Sequence, residues 1–131
     1  MIIDTSVVIA IGNREPDADR LLEALRTADR IRVSAVTWVE IGIVVDSRDD
    51  PLVARRADDL FSELDVVVEP VTPEQGRIAR QAYRDFGKGR HAAGLNFGDC
   101  FSYALAKVTR EPLLFKGSDF SLTDIHPAQL A

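Results

Sequence analysis

Hydrophobic positions along the chain follow two different rhythms. Four short apolar runs, at residues 1–4 (MIID), 31–34 (IRVS), 65–69 (DVVVE) and 112–115 (PLLF), predict strands. Between them, residues 16–28, 35–48, 51–64, 73–88 and 98–109 carry apolar residues at helical spacing. Pro16, Pro51 and Pro73 stand where a first helical turn tolerates a missing N–H, and each pushes the residue before it out of the helical region. No two strand candidates are separated by a hairpin-length turn. The connections are therefore crossovers, and the fold class is α/β, a parallel sheet covered on both faces. The glycine-containing stretch at 87–98 is expected to be a loop between two helices, and no internal repeat or linker divides the 131 residues, so a single domain over 1–131 is expected.

This pattern places the acids. Ligands of open parallel sheets bind outside the carboxyl ends of the strands. Asp4 ends the first strand, and Glu40 lies in the second turn of the helix that leaves the second strand. Asp99 opens the helix that returns to the fourth strand, and Asp119 follows that strand directly. Four carboxylates from four segments thus converge on one edge. Each also has a plainer role: Asp4 and Ser6 can cap a following helix, Asp99 can complete a capping box with Asn96, and Asp119 and Asp124 can be turn residues. Glu40 fits a plain role least, because its helical neighbours Val36, Ile43 and Val44 are apolar; a carboxylate there calls for a cation, either a buried Arg or a metal.

Composition narrows the chemistry. With 46% hydrophobic and 28% charged residues the chain is in the globular range, and no apolar run approaches the length of a membrane span. No membrane association and no export signal are expected, which makes the cytoplasm the default compartment. A single cysteine, Cys100, excludes an internal disulfide and is expected in the core. His91 and His126 do not form a metal-ligand spacing, so zinc is disfavoured. Carboxylates without His or Cys suit hard cations, Mg²⁺ or Mn²⁺. Net charge is −5, yet Arg77, Arg80, Arg84, Lys88 and Arg90 face only Glu74 and Asp85 in their own segment. The first four repeat at steps of three and four, one helical stripe, which is a solvated face or a binding surface for RNA phosphates.

Taken together, Ile2-Ile3-Asp4-Thr5-Ser6, Thr37-Trp38-Val39-Glu40, the stretch GLNFGDCFSYALAK at 94–107 and PLLFKGSDF at 112–120 resemble the PIN-domain nucleases, and more narrowly the VapC toxins of bacterial toxin–antitoxin pairs. The motifs occur in the family's order. The resemblance implies a three-layer α/β/α domain whose central, mainly parallel sheet has four to five strands. It also implies an endoribonuclease dependent on Mg²⁺ or Mn²⁺, acting on RNA as a homodimer and inhibited by a cognate VapB-like antitoxin that inserts a segment near the acids. By the same resemblance Asp4, Glu40 and Asp99 are catalytic metal ligands, and Thr5 or Ser6 supplies the hydroxyl that positions water. Asp119 is the fourth acid; family members often carry an acid or Asn two residues earlier, where this chain has Gly117. Two other classes compete. A phosphorylated receiver-like domain shares the parallel sheet and a lysine near a strand end, as Lys116 is here, but requires an Asp ending the third strand, where this chain has Glu69-Pro70, and an acid pair beside Asp4, which is missing. A non-catalytic binding domain would pair its acids with arginines.

Overall fold

Strands Ile2–Ile3 (β1), Arg32–Ser34 (β2), Val67–Glu69 (β3) and Leu113–Leu114 (β4) pair in parallel in the order β3-β2-β1-β4. This is a computed structural model that describes residues 1–130. Ile2 is opposite Arg32 on one side and Leu113 on the other, and Val33 is opposite Val68. Because side chains of a strand alternate between faces, neighbouring residues enter separate cores. Ile2 and Leu113 pack with Ala79, Ala82, Leu95 and Ala104, whereas Ile3, Val33 and Leu114 pack with Val7, Leu25, Ile41 and Val53.

The helices sort accordingly. Thr5–Gly12 (α1), Ala18–Thr27 (α2), Ala35–Asp46 (α3) and Pro51–Glu63 (α4) contribute to the second of those clusters; Pro73–Phe86 (α5) and Phe97–Thr109 (α6) contribute to the first. The result is three layers, α/β/α. The chain moves outward from β1 through β2 to β3, then crosses back to place β4 on the far side of β1. The direction of winding reverses between β1 and β4, the point in such sheets where a crevice opens for ligands.

Local differences from the sequence expectation have physical causes. α1 carries no amphipathic stripe, since TSVVIAIG is apolar nearly all round and is buried among α2, α3 and α4. α2 begins at Ala18 rather than Pro16; the Asp17 carboxylate makes no cap and instead accepts from Lys116 Nζ at 2.9 Å. Pro51 and Pro73 do open α4 and α5. α5 ends at Phe86, so the cationic stripe stops at Arg84 and Lys88 lies in the loop, its N–H donating to the Leu95 carbonyl. Cys100 is buried as expected. No described helix is long and apolar enough to cross a membrane.

Candidate active site

Asp4 sits one residue past β1, only 4% exposed, and its carboxylate is fully dressed. Oδ2 accepts from the Ser6 N–H at 3.1 Å and the Ser6 hydroxyl at 2.8 Å, which caps α1. Oδ1 accepts from the Ser102 hydroxyl of α6 at 2.9 Å. Ser102 lies 3.1 Å from the Thr37 hydroxyl of α3, and both are completely buried. A hydroxyl has one proton, and that of Ser102 points at Asp4; Thr37 must therefore be the donor to Ser102. The relay Thr37 to Ser102 to Asp4 links both helical layers to one carboxylate. Sequence reasoning missed Ser102 and Thr37, which are remote from Asp4 along the chain and look like ordinary helix residues.

Glu40 faces the same point from α3, and the hydroxyl of Thr5 donates to its Oε1. Thr5 and Ser6 thus each orient a carboxylate, with the Ser6 oxygen also accepting from the Lys116 N–H at 2.9 Å. The expected apolar surroundings of Glu40 are not a buried stripe: Ile43 is exposed, at 66%, and Val36 and Val44 are only half-buried. No cation pairs with Glu40 among the described residues. Its carboxylate instead rests on Gly98 in the first turn of α6, where the helix presents unpaired N–H groups and partial positive charge. A Cβ at position 98 would lie 2.6 Å from Glu40 Cδ and nearer still to Oε2, so only glycine admits the carboxylate.

Asp99 is the adjacent residue and plays the plainer role in full. Its Oδ2 accepts from the Asn96 N–H at 3.0 Å while Asn96 Oδ1 accepts from the Asp99 N–H at 2.9 Å, a closed capping box. That role does not neutralise it. Burial, and then the negative charges of Asp4, Glu40 and Asp119, push its carboxyl up to about 7 against the pull of the Asn96 N–H. The four acids therefore share one field at the β1/β4 crevice. Asp119, exposed and without a side-chain cap, starts the 3₁₀ turn Phe120–Leu122. Asp124 points elsewhere: it accepts from Lys107 and Tyr103, each at 2.7 Å, and although burial raises its carboxyl these bonds hold it below the ordinary value.

None of the four acids makes an ion pair among the described residues, which removes the arginine-paired binding domain. Lys116, the receiver-like feature, is engaged by Glu15 and Asp17. The donor set fits a hard divalent cation. Every donor is oxygen, and Asp99 Oδ1 and Glu40 Oε2 take no hydrogen bond from described residues. No three described His, Cys, Asp or Glu side chains are grouped closely enough to hold a metal ion by themselves. A cation there would need water and phosphate for its remaining ligands, as protein-bound Mg²⁺ usually does. On α5, Arg77, Arg80 and Arg84 are exposed and make no ion pair among the described residues, while Arg90 lies over the Tyr83 ring at 5.5 Å.

The PIN domain family model matches residues 1–125. The ribonuclease VapC28 of Mycobacterium tuberculosis is 55% identical over 129 residues, covering 98% of this chain and 97% of that protein. Among solved structures, the M. tuberculosis toxin VapC20, which cleaves the sarcin–ricin loop, superposes with a TM-score of 0.73 at 20% identity, covering 95% of each chain. A chain of VapBC2 from Rickettsia felis, solved with a fragment of its promoter DNA, gives 0.74 at 14% identity over 98% of this chain and 96% of that one.

Proposed function

The chain belongs to the PIN-domain family, and from that premise we propose that it is a divalent-metal-dependent endoribonuclease of the VapC type, a toxin restrained by a cognate antitoxin. The observation that carries the reading is the gathering of Asp4, Glu40, Asp99 and Asp119 at one crevice with no ion pair to any of them among the described residues, an arrangement that together with burial pushes the Asp99 carboxyl up to about 7. A structure that gathers uncompensated negative charge in a crevice supports a function in which positive charge arrives from outside.

Asp4, Glu40, Asp99 and Asp119 would hold Mg²⁺ or Mn²⁺. Such an ion supplies a charge that offsets the negative charge developing on phosphate oxygens and makes the attacking water more acidic. The chain's own groups do the rest. Ser102 and Ser6 fix Asp4, and Thr5 fixes Glu40, so both carboxylates are oriented before substrate arrives. Asn96 holds one oxygen of Asp99 and leaves the other free. Arg77, Arg80, Arg84 and Arg90, with Lys88, supply cations for RNA phosphates on the adjacent helix and loop. The exposed Trp38, Val39 and Ile43 of α3 support assembly with another protein surface, a second copy or the antitoxin. An antitoxin bringing an Arg or Lys to the acids would compete with the metal.

The test is direct. Purified protein is incubated with an RNA pool and Mn²⁺, with and without chelator, and the cut ends are sequenced. Recurrent ends that vanish on chelation are expected; full cleavage in exhaustive chelator, or none in Mn²⁺, overturns the metal nuclease.

A further inference from the structure

Beside the acids the surface carries a feature the metal chemistry does not use. Phe97, the first residue of α6, is 72% exposed, more than any other exposed large hydrophobic side chain of the described residues. It precedes Asp99 by two positions and lines a groove of about 360 Å³ whose walls also include Ala79, Arg80, Tyr83, Cys100 and Phe101. The groove is almost wholly apolar, and Arg80 is its one charged lining residue. Phe101 meets Phe97 edge-on, with ring centroids 5.0 Å apart, and Arg90 lies over Tyr83. Leaving an aromatic ring in water at a helix start gains nothing for the fold. An interhelical contact would have turned it inward with Phe101.

We propose that this groove is a base-stacking subsite, in which one unpaired nucleobase of the RNA lies against the Phe97 ring while the Arg80 side takes its phosphate. Three features select RNA as the occupant. Arg80 lines the groove and Arg77 and Arg84 lie within one turn of it on α5, all three free of ion pairs among the described residues. The lining is aromatic and offers few hydrogen-bonding groups, which suits the π-face of any base. Phe97 also adjoins the acids, because the next residue, Gly98, packs against the Glu40 carboxylate and Asp99 follows it, so a base stacked on Phe97 lies beside the acid crevice. The inference rests on the nuclease reading, and it adds that cleavage requires a splayed single-stranded nucleotide next to the cut.

Short single-stranded RNAs carrying 2-aminopurine at each position in turn, mixed with the intact protein in chelator, test it by fluorescence. One position is expected to be quenched. Phe97→Ala should abolish that quenching and weaken binding by about 5- to 150-fold, the loss of stacking one base, while Phe97→Tyr restores both. In Mn²⁺, Phe97→Ala should raise KM with kcat little changed, and its melting temperature should match the parent because the ring is exposed. RNA that binds with quenching and KM indifferent to Phe97 overturns the subsite and leaves the nuclease standing. A Phe97→Ala protein that keeps its RNA affinity but loses affinity for the antitoxin assigns the groove to that protein instead. RNA that fails to bind the parent at all overturns both readings.

Discussion

Asp4 shows how much of this site is set by groups that never meet substrate. Ser102 gives its only proton to Asp4 and receives one from Thr37 in a fully buried position. Ser102→Ala should therefore orphan the Thr37 hydroxyl and strip Asp4 of its Oδ1 donor, costing about 1–3 kcal/mol in denaturant unfolding. Mn²⁺ affinity by calorimetry should fall about 10- to 100-fold. Adding Thr37→Val should cost less than the sum of the two single changes, since the orphaned group is then gone; simple additivity would mean that the two hydroxyls are not coupled. Gly98 acts by space alone. Gly98→Ala should displace Glu40 and lower cleavage by about 10- to 100-fold while the melting temperature barely moves, because alanine is the better helix former. An active Gly98→Ala enzyme would remove Glu40 from the site. Neither residue was legible in the sequence as a site residue, for a common reason: Ser102 reaches Asp4 across 98 positions, and Gly98 is explained only by what fills the space above it. The acids were legible because strand ends and helix starts locate an edge before any contact is known.

At the level of elements, the same logic separates what patterning can and cannot show. Proline at the first turns of α4 and α5, and apolar runs too short for helices, marked the α/β alternation. α1 escaped periodicity because a helix apolar all round has no stripe to detect, and the start of α2 shifted because Asp17 bonds Lys116 rather than its own helix. The cationic stripe on α5 was legible as far as Arg84; the helix ends at Phe86 with Gly87 as its cap, so Lys88 and Arg90 lie in the loop that follows and not on the stripe. If that helix follows the RNA backbone, Arg80→Glu with Arg84→Glu should weaken binding most at low salt. The slope of log affinity against log salt should fall by about 0.7 for each phosphate no longer neutralised. Circular dichroism should be unchanged, both side chains being exposed. An unaltered slope in the folded variant would return the two arginines to a solvated face.

For the whole molecule, the gathering of four acids at the crevice between β1 and β4 must weaken the metal-free fold, and the direction with pH follows from Asp99. Its carboxyl sits at about 7 in the folded chain against an ordinary value of 3.8, so between those values the folded state binds more protons than the unfolded state. Stability in chelator should accordingly fall as pH rises from about 4 to about 7, the penalty being absent below that window and complete above it. Mn²⁺ must displace the remaining proton, so its affinity should strengthen over the same rise in pH. Asp99→Asn separates the two roles of the residue. Its amide oxygen can still accept from the Asn96 N–H, which keeps the capping box, while the charge is gone. In chelator at pH 8 this variant should melt at or above the parent temperature and lose the pH slope. It should also lose most of the metal-induced stabilisation, which in the parent is about 2.7 kcal/mol at a metal concentration 100 times Kd. Paired melting curves with chelator and with Mn²⁺, at pH 5.5 and pH 8, decide it. A variant less stable in chelator at both pH values, with its metal response intact, would make Asp99 a helix cap alone, because only the missing dipole interaction of about 0.3–1 kcal/mol would then remain to explain the change.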